Sequence, residues 1–349
     1  MHANRTRGWA ATGWAGAGSG LLLVALATAC SPGIELNQEA AVAAVTPEAT
    51  GTPEATRTPE ATAVPSSTAT SAPPPVHSGA AITPTGVVVP VLGAGDDGWL
   101  VGTPCGQTAT VPNVRPLTGT VVLDAGHGGH ETGAIGPLGS KESDLNLAVV
   151  SYAQEALEAV GISAIPTRTR DYRIAITARA AIVSAVKPKA VVSIHHNSWP
   201  SHLRDTPGTE IFHQAIGASS AESRRLAGLV YEEVTAALAR VDVTEWATTP
   251  RPGAKPRPNS DGDDFYGMLR RTQGTPTVLA EIGFISNKHE ERRYAEPGVQ
   301  KAVGEAVARG IVRFVTTRDP GSGFVTPPRL ADDERKGGGT GNCEDPPLR

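Results

Sequence analysis

The 349-residue chain has no dense run of lysine and arginine, and its formal net charge is −4. Nucleic-acid binding depends on clustered cations, so nucleic acid is set aside as a partner. The chain also lacks an apolar run of membrane-spanning length. The apolar stretch from Leu21 ends by Cys30, well short of the ~20 residues a transmembrane helix needs. Arginines precede that stretch and Ala27-Thr28-Ala29 follows it, which is the order of a secretory signal with an A-x-A cleavage site. Cysteine is scarce as well, with three in all.

The signal assigns residues 1–29 to a leader. The segment before Cys30 also resembles a bacterial lipobox, in which Cys30 would carry lipid and tie the chain to a membrane. Both readings cut before Cys30 and differ only in the lipid. If Cys30 is lipidated, Cys105 and Cys343 remain as an even pair in an exported, disulfide-permissive protein. A disulfide and two unrelated thiols both fit, because sequence does not fix connectivity.

Residues 30–85 read as a disordered linker. The unit T-P-E-A-T occurs three times from Thr46 onward, and no aromatic interrupts it. Such a segment cannot bury a core, and its unit is too short and polar to stack as a solenoid. About 56 residues of coil span on the order of 40 Å, more if proline stiffens them. Residues 86–118 follow, where two β-rich runs flank a Gly/Asp turn; they predict a small hairpin module that packs on a larger domain. The main domain is predicted over 119–316 and a loose tail over 317–349.

Within the main domain, strands are predicted at Val121–Asp124, Ile162–Pro166, Ala190–Ile194 and Thr277–Glu281. Leu145, Val149, Tyr152, Ala156 and Val160 mark one helix face. Further helices are predicted over Ala175–Val186, after a capping box at Ser219-x-x-Glu222, and through Val299–Phe314. The alternation predicts an α/β fold with a mostly parallel sheet flanked by helices.

The chemistry concentrates in "VVLDAGHGGHETGAIG", Val121 to Gly136. A dinucleotide loop needs a third glycine where Glu131 stands, no G-K-[ST] occurs, and H-E-x-x-H fails at Ala134. What remains is position: His127 follows one predicted strand, His195 and His196 follow another, and Glu281 ends a third. Ligand sites in open α/β sheets lie beyond the carboxyl ends of strands. Histidines converging on one such edge favour a metal over a structural role. Gly126, Gly128 and Gly129 let the backbone bend tightly there.

The stretches "VVLDAGHGGHETGAIGPLGSKESDLNLAVV", "TRTRD", "SIHHNSWP" and "LAEIGFISN" resemble the zinc-dependent N-acetylmuramoyl-L-alanine amidases of bacterial cell walls. The resemblance covers residues 119–316. It implies Zn²⁺ held by His127, Glu142 and His195, with Glu281 as the catalytic group. Two histidines, a carboxylate and a free fourth position form a catalytic zinc set. On the residues alone, Glu142 reads as an acid just ahead of a helix that begins near Asp144. His130 and His196 fall off the motif positions. Asp124 reads either as support for a zinc histidine or as a strand-end residue capping the glycine loop. Asn197 reads as holding the turn or orienting a ligand. The proline-rich stretch Val241–Asp264 predicts an open loop near the cleft.

The resemblance implies hydrolysis of the amide between N-acetylmuramic acid and L-alanine; with the leader, the lipobox-like Cys30 and the linker, the expectation is an exported, membrane-tethered enzyme of the cell envelope. Peptidoglycan is the implied partner, and any protein activator is left unidentified. Two rivals are a non-catalytic peptidoglycan-binding protein of the same fold and a tether whose business lies in the linker. Zinc uptake and peptidoglycan digestion separate them.

Overall fold

A computed structural model describes residues 79–199, 207–241, 252–326 and 342–349. The leader, Cys30 and most of the predicted linker lie outside the described residues.

Five short strands open the described chain: β1 (Gly79–Ile82), β2 (Val88–Gly95), β3 (Gly98–Gly102), β4 (Thr108–Val111) and β5 (Arg115–Leu117). They form an antiparallel sheet in the order β4-β3-β2-β1-β5. The expected hairpin is its β2–β3 pair, turned at Asp96 and Asp97. The module is larger than the sequence suggested: β1 falls in the stretch read as linker, because Ala80 and Ala81 pair with β2 and β5 and are buried.

The second sheet is built from β6 (Val121–Ala125), β7 (Ala164–Pro166), β8 (Ala190–Asn197), β9 (Glu210–His213), β10 (Gly253–Lys255) and β11 (Thr277–Phe284). Its order is β10-β9-β11-β8-β6-β7. The β9–β11 pairing is antiparallel and the other pairings are parallel, so the mostly parallel expectation holds. The helices are α1 (Glu142–Ala159), α2 (Ile176–Val186), α3 (Ser220–Arg240), α4 (Gly267–Arg271), α5 (Lys288–Tyr294) and α6 (Pro297–Thr316).

Central strands buried on both faces read as unbroken apolar runs, and the pleat divides them. Val121, Leu123 and Ala125 enter the core shared with α1, α3 and α6. Val122 and Val191 face the other way, into a core made with Ala178, Ile182 and Val183 of α2 and Val88 and Val89 of β2. The β module thus covers the α2 side of the second sheet.

The tail also departs from expectation. Phe324 bridges to Ala254 and packs on the main core. Cys343 is disulfide-bonded to Cys105, and Asp345 Oδ1 accepts the Cys105 N–H at 2.7 Å. Part of the predicted open loop is the strand β10, whose Lys255 is buried against Glu210. The capping box at the start of α3 does not form. Ser219 adopts φ −99°, ψ 5°, and its hydroxyl makes no cap bond.

Candidate metal centre

The carboxyl end of the second sheet brings the sequence-predicted residues together. β6 ends at Ala125, and Gly126 donates its N–H to the Ile194 carbonyl at 3.0 Å. This lays the glycine loop against β8, where His195 stands. A side chain at Gly126 would sit inside the His195 ring. The glycine is required by close approach, not by looseness.

Glu142 is the first residue of α1 rather than the residue ahead of it. A helix start leaves backbone N–H groups without partners. Here the Glu142 and Ser143 N–H groups donate to the Ala134 and Thr132 carbonyls at 2.9 and 3.0 Å. The loop that follows His127 therefore caps the helix that carries Glu142. Gly133 fits between that carboxylate and the His127 ring, where no Cβ would fit.

Three side chains aim at one point. Glu142 Oε1 lies 3.1 Å from His127 Nε2 and 2.9 Å from His195 Nδ1. The donor atoms of His127, Glu142 and His195 all lie within 4.8 Å of one another. Glu142 Oε2 accepts the Ala134 N–H at 2.9 Å. Burial would raise the Glu142 carboxyl, but hydrogen bonds and charge from the two histidines hold it well below the usual range. Burial would lower His127, yet the Glu131 and Glu142 carboxylates beside its ring take it up to about 9. Two imidazole nitrogens on one carboxylate oxygen form a set of N, N and O donors that suits a small divalent cation, Zn²⁺ among them.

Glu281 sits in the same row. Along the sheet it is the direct neighbour of His195 on β8 and of Glu210 on β9. It is buried, and Oε2 has no hydrogen-bond partner among the described residues. Burial first, then the charges of Glu142 and Glu210, push its carboxyl well above the usual range.

The two supporting residues do other work than aiming a metal ligand directly. Asp124 is buried, and no histidine is among its hydrogen-bond partners in the described residues. It accepts from Thr167 Oγ1 and Ser193 Oγ at 2.6 Å each and from Arg179 Nη1 at 2.5 Å. Arg179 Nη2 then donates to the His127 carbonyl at 2.7 Å. Asp124 thus acts on the loop through an arginine 55 residues away. Asn197 donates to Glu210 Oε2 at 2.9 Å and accepts the Ser198 N–H at 2.9 Å. It holds the turn and orients Glu210, whose other oxygen is 2.6 Å from Lys255 Nζ.

His196 and His130 stand outside the group of three. His196 is buried on Asn146 Oδ1 at 2.8 Å and edge-on to Tyr294, and burial takes it down to about 4. His130 Nε2 lies 2.9 Å from Arg173 Nη1.

Sequence reasoning missed several supports. Arg168, in "TRTRD", is fully buried and donates to the carbonyls of Ala125, Gly126, Ser143 and Arg170 at 2.7–3.2 Å. It ties the glycine loop to the first turn of α1. Glu131, four residues after His127, has Oε1 3.4 Å from His127 Nδ1. Its spacing was a visible signal; the arginine's four carbonyl partners were not.

The profile of the Amidase_3 family, described as N-acetylmuramoyl-L-alanine amidase, matches residues 121–313. The chain is 32% identical over 209 residues to the uncharacterized protein YqiI of Bacillus subtilis (strain 168), covering 60% of this chain and 88% of that one. It is 27% identical over 225 residues to the N-acetylmuramoyl-L-alanine amidase AmiC of Neisseria meningitidis serogroup B, covering 58% of this chain and about half, 53%, of that protein. Among solved structures, Cwp6 from Clostridium difficile superposes with a TM-score of 0.50 at 27% identity, covering 57% of this chain and 30% of the other. With the profile spanning more than half of its 349 residues, the chain belongs to the N-acetylmuramoyl-L-alanine amidase family.

Proposed function

We propose that the chain is a zinc-dependent amidase that hydrolyses the bond between the lactyl group of N-acetylmuramic acid and L-alanine in peptidoglycan. The observation that carries the reading is the convergence of His127, Glu142 and His195, with the buried Glu281 beside His195 in the sheet row. His127 Nε2, His195 Nδ1 and Glu142 Oε1 would hold the ion. When bound, Zn²⁺ supplies Lewis acidity that polarises the scissile carbonyl and lowers the pKa of a water to about 7.

Glu281 acts as the base. Its Oε2 takes a proton from the attacking water, the water oxygen bonds to the carbonyl carbon, and the carbon–nitrogen bond breaks. Glu281 returns the proton to the leaving nitrogen, so a carboxylate and the free amine of L-alanine result. Burial first, then the Glu142 and Glu210 charges, raise the proton affinity of Glu281, and a neighbouring cation would oppose that rise so that the carboxylate form is available. Asn197 fixes Glu210, and Arg179 and Arg168 fix the glycine loop.

The test is digestion of purified peptidoglycan with product masses read directly. Intact muramic acid together with new N-terminal L-alanine supports the reading. Binding to peptidoglycan without release favours the non-catalytic rival.

We infer further that the protein is exported and anchored by lipid at Cys30, on the strength of the lipobox-like segment and the long Pro/Thr stretch after it. Among the described residues no helix is long and apolar enough to cross a membrane. Replacing Cys30 with alanine should move the protein out of the membrane fraction. Identical partitioning of variant and parent removes the anchor from the account.

A further inference from the structure

We propose that Glu131 is a positioning residue for the metal: it orients His127 as a carboxylate–histidine pair, with Arg173 holding the carboxylate in place. This rests on the zinc reading above and deepens it.

His127 has φ +60°, in the left-handed region that favours glycine. A non-glycine residue stays there only where its surroundings fix it. Its carbonyl is fixed by Arg179. Its ring faces a carboxylate on both sides, with Nε2 3.1 Å from Glu142 Oε1 and Nδ1 3.4 Å from Glu131 Oε1, the latter an ion-pair contact in which Nδ1 makes no hydrogen bond among the described residues. A neutral imidazole carries its proton on one nitrogen and a lone pair on the other. A carboxylate facing Nδ1 keeps the proton there and leaves the Nε2 lone pair directed at the point shared with Glu142 and His195. Such an outer partner fixes the ring plane and raises ligand basicity.

Glu131 is placed for this by its own backbone. It forms an antiparallel bridge with Gly128, exchanging hydrogen bonds of 2.8 and 3.2 Å across the turn that begins at His127. Its second oxygen lies 3.2 Å from Arg173 Nε, and Arg173 Nη1 reaches His130 Nε2 at 2.9 Å. The guanidinium occupies one carboxylate oxygen, so the other stays on the imidazole. His130 stands at the far end of the chain His127–Glu131–Arg173–His130. The alternative is a surface ion pair between Glu131 and Arg173 that leaves the metal indifferent.

The experiment measures zinc affinity of the purified chain by competition with a chromophoric chelator, with the visible spectrum of the cobalt(II) form as a second readout. Outer-partner changes typically weaken metal binding by about 10–100-fold. Glu131→Ala and Glu131→Gln should fall in that range and shift the cobalt bands. Glu131→Asp, which keeps the charge, should bind more tightly than Glu131→Gln. Glu131→Gln keeps the size, so it decides the matter if the alanine variant does not fold. Wild-type zinc affinity in the glutamine variant, with an unchanged cobalt spectrum, overturns the proposal and leaves the zinc reading intact. A wild-type chain that takes up no zinc, or one matched in affinity by His127→Ala, overturns both.

Discussion

Replacing Asp124 with asparagine should destabilise the fold in a pH-dependent way. Asp124 is 1% exposed, and its two oxygens accept from Thr167, Ser193 and Arg179. Asparagine keeps the shape but removes the charge opposite the buried Arg179 and turns an NH₂ toward donors. Stranding one partner of a buried ion pair costs about 3–5 kcal/mol. Burial alone would raise the Asp124 carboxyl, but the Arg179 charge and the hydrogen bonds from Ser193, Thr167 and Arg179 lower it from 3.8 to about 2. That depression corresponds to roughly 2 kcal/mol of stability. Because the folded pKa lies below the unfolded one, the contribution is fully present above about pH 4 and is lost as pH falls toward 2. Urea unfolding of metal-free wild type and Asp124→Asn should therefore show a large gap at pH 7 that narrows between pH 4 and pH 2. Equal stability at pH 7, or a gap that stays constant to pH 2, refutes the reasoning.

A methyl group added by Gly126→Ala meets the His195 ring; overpacking of this kind costs about 1–3 kcal/mol, and zinc affinity in chelator competition should fall as the ring is displaced, whereas unchanged affinity would show that the loop can yield. The Cys105–Cys343 bond closes a separation of 238 residues; by chain entropy its loss in Cys343→Ser lowers stability by up to about 5 kcal/mol, visible as a lower Tm of the exported protein. Recovery of both cysteines as free thiols from unreduced peptide maps would remove that link between module and tail.

Much of the second sheet was legible because its signals are local. Val121–Asp124, Ala190–Ile194 and Thr277–Glu281 are short apolar runs, and each is a strand. The α6 face follows the helical period as expected, but on α1 only Leu145 and Val149 of the expected face are buried; Val150, Ala153 and Leu157 complete it, and Val160 is exposed just past the helix end. β9 and β10 were not legible. β10 has three residues and owes its place to β9 on one side and Phe324 on the other, contacts that proline-rich sequence does not announce. β8 and β11 run past their apolar segments, because pairing continues through His195 and Glu281. At the site, strand position alone raised His127, His195 and Glu281, while Glu142 needed the family resemblance. The work of Asp124 was hidden because its partner Arg179 lies on α2, and that of Lys255 because it sits in a stretch read as open loop.

The central claim is a division of labour between three residues that would hold zinc and one that would move the proton. It is tested most directly by measuring bound zinc and peptidoglycan hydrolysis together in His127→Ala and Glu281→Gln. The account predicts that His127→Ala loses zinc and activity together. Glu281→Gln keeps the side chain's size but cannot take the water's proton, so it should retain about one zinc per chain while its rate falls by roughly 10²–10⁴-fold. Loss of zinc from Glu281→Gln would make Glu281 a ligand, and full activity with zinc retained would place the base elsewhere; either result contradicts the account.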